Sequence, residues 1–165
     1  MFNPNFKYPD TDAYNFVVNR LHERGVELHQ LSDIAFEMQN QFGEHSSREE
    51  YYENLIDVLH KRELLNEAMV ALELDRLAQD NLIQEPLLSI IKNDSGVFGV
   101  DEALAIQISN IYGTIGTTNF GYLDRVKYGI IKKFDQDDQH VATFIDDLLG
   151  AIIAALCGKM AHLYA

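Results

Sequence analysis

The feature that most constrains this chain is the spacing of its apolar residues, which keeps a helical period almost throughout its 165 residues. Phe16, Val17 and Leu21 form one stripe, and Gly25 stands where a helix would stop. Leu31, Ile34, Ala35 and Met38 form a second, ending near Phe42-Gly43. Ser46 and Ser47 each precede a glutamate by three residues (Glu49, Glu50), a doubled capping-box signal. The helix behind them carries Tyr52, Leu55, Ile56 and Leu59, with Tyr51 and Tyr52 divided between a buried and an exposed face. Leu65, Ala68, Met69, Leu72 and Leu77 make a further stripe, and Pro86 opens a short segment from Leu87 to Ile91. After the loop Asn93-Asp94-Ser95-Gly96, Leu104, Ile108 and Ile111 line another helix, and Gly113, Gly116 and neighbouring threonines punctuate the next stretch. Phe134 to His140 is polar and acidic, as a surface loop is. A last helix runs from about Asp146 to the end.

Alternating strand patterns are scarce, and Val97-Phe98-Gly99-Val100 is too short and glycine-rich for a strand. With no internal repeat and no linker, the expectation is an all-α fold: a single compact multi-helix bundle over residues 1–165. Gly150, Ala154 and Gly158 recur every fourth residue, so the last helix is small-residue-rich on one face and suited to a central place where a neighbour approaches closely. Its uncharged run, Leu148 to Cys157, is ten residues long. Roughly 18–20 are needed to span a bilayer, so no transmembrane segment is expected.

Charge excludes more functions than it suggests. The net charge is −13 and the isoelectric point about 4.7, whereas binding to a phosphate backbone relies on Lys and Arg releasing counterions. The stretch from Gly25 through Ala35 has a helix-turn-helix flavour, but residues 1–60 carry four Lys/Arg against eleven Asp/Glu, a net of −7. No nucleic-acid partner is expected, and anionic membrane surfaces are disfavoured for the same reason. The single cysteine, Cys157, and a start without a basic segment leading an apolar one fit a cytoplasmic protein. His22 and His29 lack the spacing of a helical zinc pair, and His45, His60, His140 and His162 are scattered, so surface and packing roles are expected.

The chemistry-bearing residues are acidic. Asp101-Glu102 and Asp146-Asp147 each stand where a loop meets an apolar helix, with Asp94 and Gly96 just before the first pair and Asp124, Lys127 and Asp135 between the two. Two readings compete. Mg²⁺ prefers hard oxygen ligands and often takes one or two carboxylates plus substrate phosphate, and neighbouring helical residues point in different directions, so one of each pair can face inward. Alternatively the acids cap their own helix N-termini, and Thr143, three residues before Asp146, completes a capping-box-like pattern. Asp124 and Lys127 can equally form an exposed ion pair worth about 0–1 kcal/mol.

Three runs resemble the phosphatidylglycerophosphatase A family, in its order and at similar spacing. Asp94-Ser95-Gly96-Val97-Phe98-Gly99-Val100-Asp101-Glu102 is similar to its acidic stretch ending in Asp-Glu. Phe120-Gly121-Tyr122-Leu123-Asp124-Arg125-Val126-Lys127 is similar to its Phe-Arg-x-x-Asp-x-x-Lys-Pro segment, and Ile145-Asp146-Asp147-Leu148-Leu149-Gly150-Ala151 to its hydrophobic-Asp-Asp segment. The resemblance covers roughly residues 90 to 160 and points to the soluble, all-helical branch called YutG-like. It implies a divalent-metal-dependent hydrolase of phosphomonoesters, with Mg²⁺ as cofactor and Mn²⁺ or Ca²⁺ as in vitro substitutes. It assigns Asp101, Glu102, Asp146 and Asp147 to the metal, Asp124 and Lys127 to catalysis, and Asp94, Gly96 and Asp135 to a supporting or phosphate-binding place. Whether Asp124 is nucleophile, base or ligand stays open.

The implied partner is a phospholipid head group or a phosphorylated small molecule, and self-association into a homo-oligomer stays open. Gly121 stands where the membrane-bound members have Arg, Tyr128 where Pro is usual, and the first 90 residues read as polar amphipathic helices. Those departures keep a second reading alive: a non-catalytic protein that binds metal or a phosphorylated metabolite through the same acidic cluster.

Overall fold

A computed structural model describes residues 2–43 and 46–164. His45, expected in a surface or packing role, lies outside them. Among the described residues there are nine α-helices, one 3₁₀ turn and no strand. In chain order they are α1 (Asp10–Glu23), α2 (Leu28–Asn40), α3 (Arg48–Leu59), α4 (Arg62–Gln79), α5 (Leu87–Lys92), α6 (Val100–Ser109), the turn Asn110–Tyr112, α7 (Thr114–Val126), α8 (Ile130–Asp135) and α9 (Ile145–Leu163). The all-helical expectation holds, and no helix among the described residues is long and apolar enough to cross a membrane.

The local stops and starts are those the sequence signals. Gly25 takes a left-handed conformation (φ +76°), its N–H donating to His22 and that of Val26 to Leu21, a Schellman stop for α1. The Ser47 hydroxyl accepts from the Glu50 amide at 3.1 Å and opens α3. Of the two tyrosines, Tyr51 is buried and Tyr52 exposed. The inward face of α3 is therefore Tyr51, Leu55, Val58 and Leu59 rather than the stripe through Tyr52 and Ile56.

Packing is organised around α9, whose residues Asp147 through Gly158 are all buried. A helix apolar on every side has to be enclosed, and α2, α3, α4, α6, α7 and α8 surround it while α1 packs on α4. The small residues of α9 permit this at one end. A Cβ on Gly158 would stand 3.2 Å from the Gly116 amide, and one on Gly116 would stand 2.0 Å from the Ser109 carbonyl oxygen. At Gly150 the neighbour is the Phe120 ring at an ordinary 3.6 Å.

Two expectations change. Gly116 does not break the chain into a loop; it lies inside α7, where the close crossing requires it. The stretch expected as a loop from Phe134 to His140 begins inside α8, which buries Ile130, Ile131 and Phe134, and only the part after Asp135 is irregular.

Candidate functional site

Four stretches of chain converge where α9 begins. The first leaves α5 through a second Schellman stop: Asp94 takes the left-handed position (φ +44°), its amide donating to Ile91 and that of Ser95 to Ile90. Phe98 then packs edge-on against Phe144 (centroids 5.6 Å), fixing the loop to the residue before α9. Gly99, at φ +65°, turns the chain into α6 with Asp101 and Glu102 in its first turn. The second stretch is the end of α7, carrying Asp124 and, in a left-handed terminal position, Lys127. Asp135 closes α8, and Asp146 and Asp147 occupy the first turn of α9.

Asp94, Gly96, Asp101, Glu102, Asp124, Lys127, Asp135, Asp146 and Asp147 line one cavity of about 160 Å³, together with Ser95, Gly99 and Thr143. The residues assigned from the sequence to the metal, to catalysis and to the supporting place all line this pocket. Thr143 is there too, but not in the role expected of it. Its hydroxyl donates to the Ile91 carbonyl at 2.6 Å and so ties α5 to the α9 approach, leaving α9 without a cap from its own preceding residues.

Lys127 is the electrostatic centre. Its Nζ donates to Asp124 (2.8 Å), Asp146 (2.9 Å) and Asp147 (3.3 Å), with Asp135 at 4.0 Å. Burial works against its charge, but the hydrogen bonds to Asp124 and Asp146 and the charges of Asp146 and Asp147 outweigh it and hold the ammonium firmly protonated. The carboxyls pay for their enclosure. Burial, then the neighbouring Asp146 charge, pushes Asp147 up to about 8 against the pull of Lys127. Burial likewise raises Asp146 and Asp94, the latter with help from Asp101.

The exposed ion-pair reading of Asp124 and Lys127 does not hold, because Lys127 is largely enclosed and bridges three carboxylates. Capping of their own helices accounts for only part of the acids: Asp146 meets the Asp147 amide in the first turn of α9 as well as Lys127. No side chain caps α6 at Gly99, and one oxygen of Asp101 is buried without a hydrogen-bond partner among the described residues. The amides of Phe144 and Ile145 at the head of α9 donate to Asp75, which reaches across from α4 at 3.0–3.3 Å.

Asp75 is wholly buried, and burial pushes its carboxyl up to about 7. The sequence held a signal for it: Asp75 sits three residues after Leu72 and three before Ala78, on the inward face of α4. An acid there must meet donors.

The pocket's lining is of the type a hard cation prefers. Its donors are carboxylate oxygens, and a buried carboxylate oxygen with no partner is a cost that a cation relieves. Among the described residues, however, no three His, Cys, Asp or Glu side chains stand close enough together to hold a metal ion as placed. The Lys127 ammonium occupies the space between Asp124, Asp146 and Asp147.

Known proteins share this arrangement of chain. The model of the phosphatidylglycerophosphatase A family matches residues 22–162. Two uncharacterized proteins of Bacillus subtilis (strain 168) are similar along most of their length. YpjQ is 36% identical over 156 residues, covering 94% of this chain and 88% of that one. YutG is 41% identical over 144 residues, covering 87% of each. The crystal structure of the low temperature requirement C protein from Listeria monocytogenes superposes with a TM-score of 0.87 at 38% identity, covering 92% of this chain and 96% of that one. The match extends well beyond the acidic runs to include α2, α3 and α4, so on its whole helical body as well as its pocket the chain belongs to the phosphatidylglycerophosphatase A family.

Proposed function

We propose that this chain is a divalent-metal-dependent phosphomonoester hydrolase acting on a phospholipid head group or a soluble phosphoester. The observation that carries the reading is the meeting of carboxylates from four separated stretches around one lysine in a single pocket. Carboxylates alone would repel a phosphate dianion; a cation beside Lys127 reverses that field.

Asp101, Glu102, Asp146 and Asp147 are the residues that would hold Mg²⁺, or Mn²⁺ or Ca²⁺ in its place. Bound there, the metal supplies Lewis-acid polarisation of the phosphoryl oxygens. Lys127 neutralises charge on the equatorial oxygens of the transferring phosphoryl group. Asp124, whose side chain is 40% accessible, lines the pocket and accepts a hydrogen bond from the Lys127 ammonium at 2.8 Å. Asp94 and Asp135 add carboxyls to the same lining, and Gly96 lets the backbone line the cavity without a side chain. In the reaction the bond from phosphorus to the ester oxygen breaks as a water oxygen bonds to phosphorus, and the alcohol leaves with a proton.

The second reading, binding without turnover, is favoured by one feature. Gly121, on α7 one turn before Asp124, supplies no side chain where the resemblance to the membrane-bound members implies an Arg.

A phosphatase screen of the purified protein with Mg²⁺ or Mn²⁺ on lipid and soluble phosphoesters separates the two. Turnover that is lost in Asp101→Asn and Asp147→Asn, with folding intact, supports the enzyme. Mn²⁺ uptake with no turnover on any ester supports the binder. Full activity in both variants removes the pocket from the chemistry.

A further inference from the structure

The first turn of α9 carries two of the pocket's carboxylates, and its own sequence leaves it without a cap. In a capping box the side chain three positions into a helix reaches back to the amide of the N-cap residue. In α9 the N-cap residue is Phe144 and the residue three positions on is Asp147. Asp147 would ordinarily be drawn back onto the Phe144 amide. That amide is already taken: it donates to both oxygens of Asp75, at 3.1 and 3.3 Å, and the Ile145 amide donates to the second of them at 3.0 Å.

We propose that Asp75 is the positioning residue of the acidic pocket, capping α9 from α4 so that Asp147 projects to Lys127 instead of folding back onto the Phe144 amide. Two further contacts make Phe144 a fixed point for this lock. Its ring meets Phe98 of the loop that carries Asp94 and Gly96, and the preceding Thr143 is tied to Ile91. Asp75 thus sets the register of α9 against the Asp94–Gly99 loop as well as against α4. Arg24 supplies compensating positive charge, and Asp75 itself is buried and does not line the acidic pocket.

The inference rests on the pocket being a cation site, and its test is built so that the two can fail separately. Mn²⁺ affinity is measured by calorimetry on the wild type, Asp75→Asn, Asp75→Ala and Ser47→Ala, the last removing a cap on α3, none of whose residues lines the pocket. Asp75→Asn keeps one acceptor oxygen and is expected to fold and to bind Mn²⁺ about tenfold more weakly, with Asp75→Ala weaker still, in the range of about 10–100-fold seen for groups that orient metal ligands. Ser47→Ala is expected to lose stability with its Mn²⁺ affinity unchanged. Wild-type affinity in Asp75→Asn, or an equal loss in Ser47→Ala, overturns the proposal. Should the wild type take up no Mn²⁺, the hydrolase reading falls and the positioning role is decided in metal-free protein by the carboxyl ¹³C signals of Asp146 and Asp147. They are expected to move in Asp75→Asn and not in Ser47→Ala; signals that stay in place in Asp75→Asn overturn the proposal.

Discussion

Asp147→Asn is expected to stabilise the metal-free protein while destroying its function. The Asp147 side chain is only 6% accessible, and burial beside Asp146 raises its carboxyl from 3.8 to about 8. The folded state therefore holds this proton more tightly than the unfolded chain. The resulting stabilisation is fully present below about pH 4 and is lost as pH rises through about 8. At about 1.4 kcal/mol per pH unit, the interval sets a ceiling of about 6 kcal/mol. The carboxyl is coupled to its neighbours, so one residue is expected to show only part of that ceiling, on the order of a few kcal/mol. Asparagine cannot ionise, so the stability gap between variant and wild type should be small at pH 4.5 and grow to about that value at pH 8.5. Urea unfolding in EDTA at several pH values reads it as a midpoint that separates by about 1–2 M at the alkaline end. A gap that does not change with pH refutes the reasoning, as does a variant less stable than wild type at pH 8.5. Either would mean that the attraction of Lys127 outweighs burial. Mn²⁺ uptake by the same variant should be lost, which is the trade of stability for function common in active sites.

Two glycines of α7 should respond in opposite directions. Gly116→Ala places a Cβ 2.0 Å from the Ser109 carbonyl oxygen, a backbone atom that cannot move aside cheaply, and is expected to cost about 3 kcal/mol or more in urea unfolding. Gly121→Arg meets open space and removes a glycine from a helix interior, so a gain of about 0.5–1 kcal/mol is expected. If the pocket takes a phosphate, the same variant restores a cation one turn from Asp124 and should lower KM or tighten phosphate binding. Unchanged affinity would place residue 121 outside the reach of the anion.

Much of the helical framework is legible because its signals are local. Gly25 stops α1 and Ser47 opens α3 through hydrogen bonds that span at most five residues. The central place of α9 comes from a run apolar on every side. Sequence and structure part where local composition and tertiary demand disagree. Phe134 reads with the acidic residues next to it in the chain, yet its ring completes the buried face of α8. Gly116 reads as a breaker because glycine is a poor helix former, although a helix crossing at contact distance requires one there.

The candidate site divides in the same way. By itself the sequence determined which residue types are present and on which helix ends they fall, since short-range periodicity and capping chemistry fix those. It left Asp146 and Asp147 suspended between capping α9 and facing a ligand, because both states use the same residues at the same spacing. Only the tertiary structure supplies the partners that turn both toward the pocket. Asp75, some 70 residues earlier in the chain, takes the amides, and Lys127, from the end of α7, gathers the carboxylates. A buried polar group must find a partner wherever the fold brings one, and the identity of that partner is a property of packing that no local stretch of sequence contains.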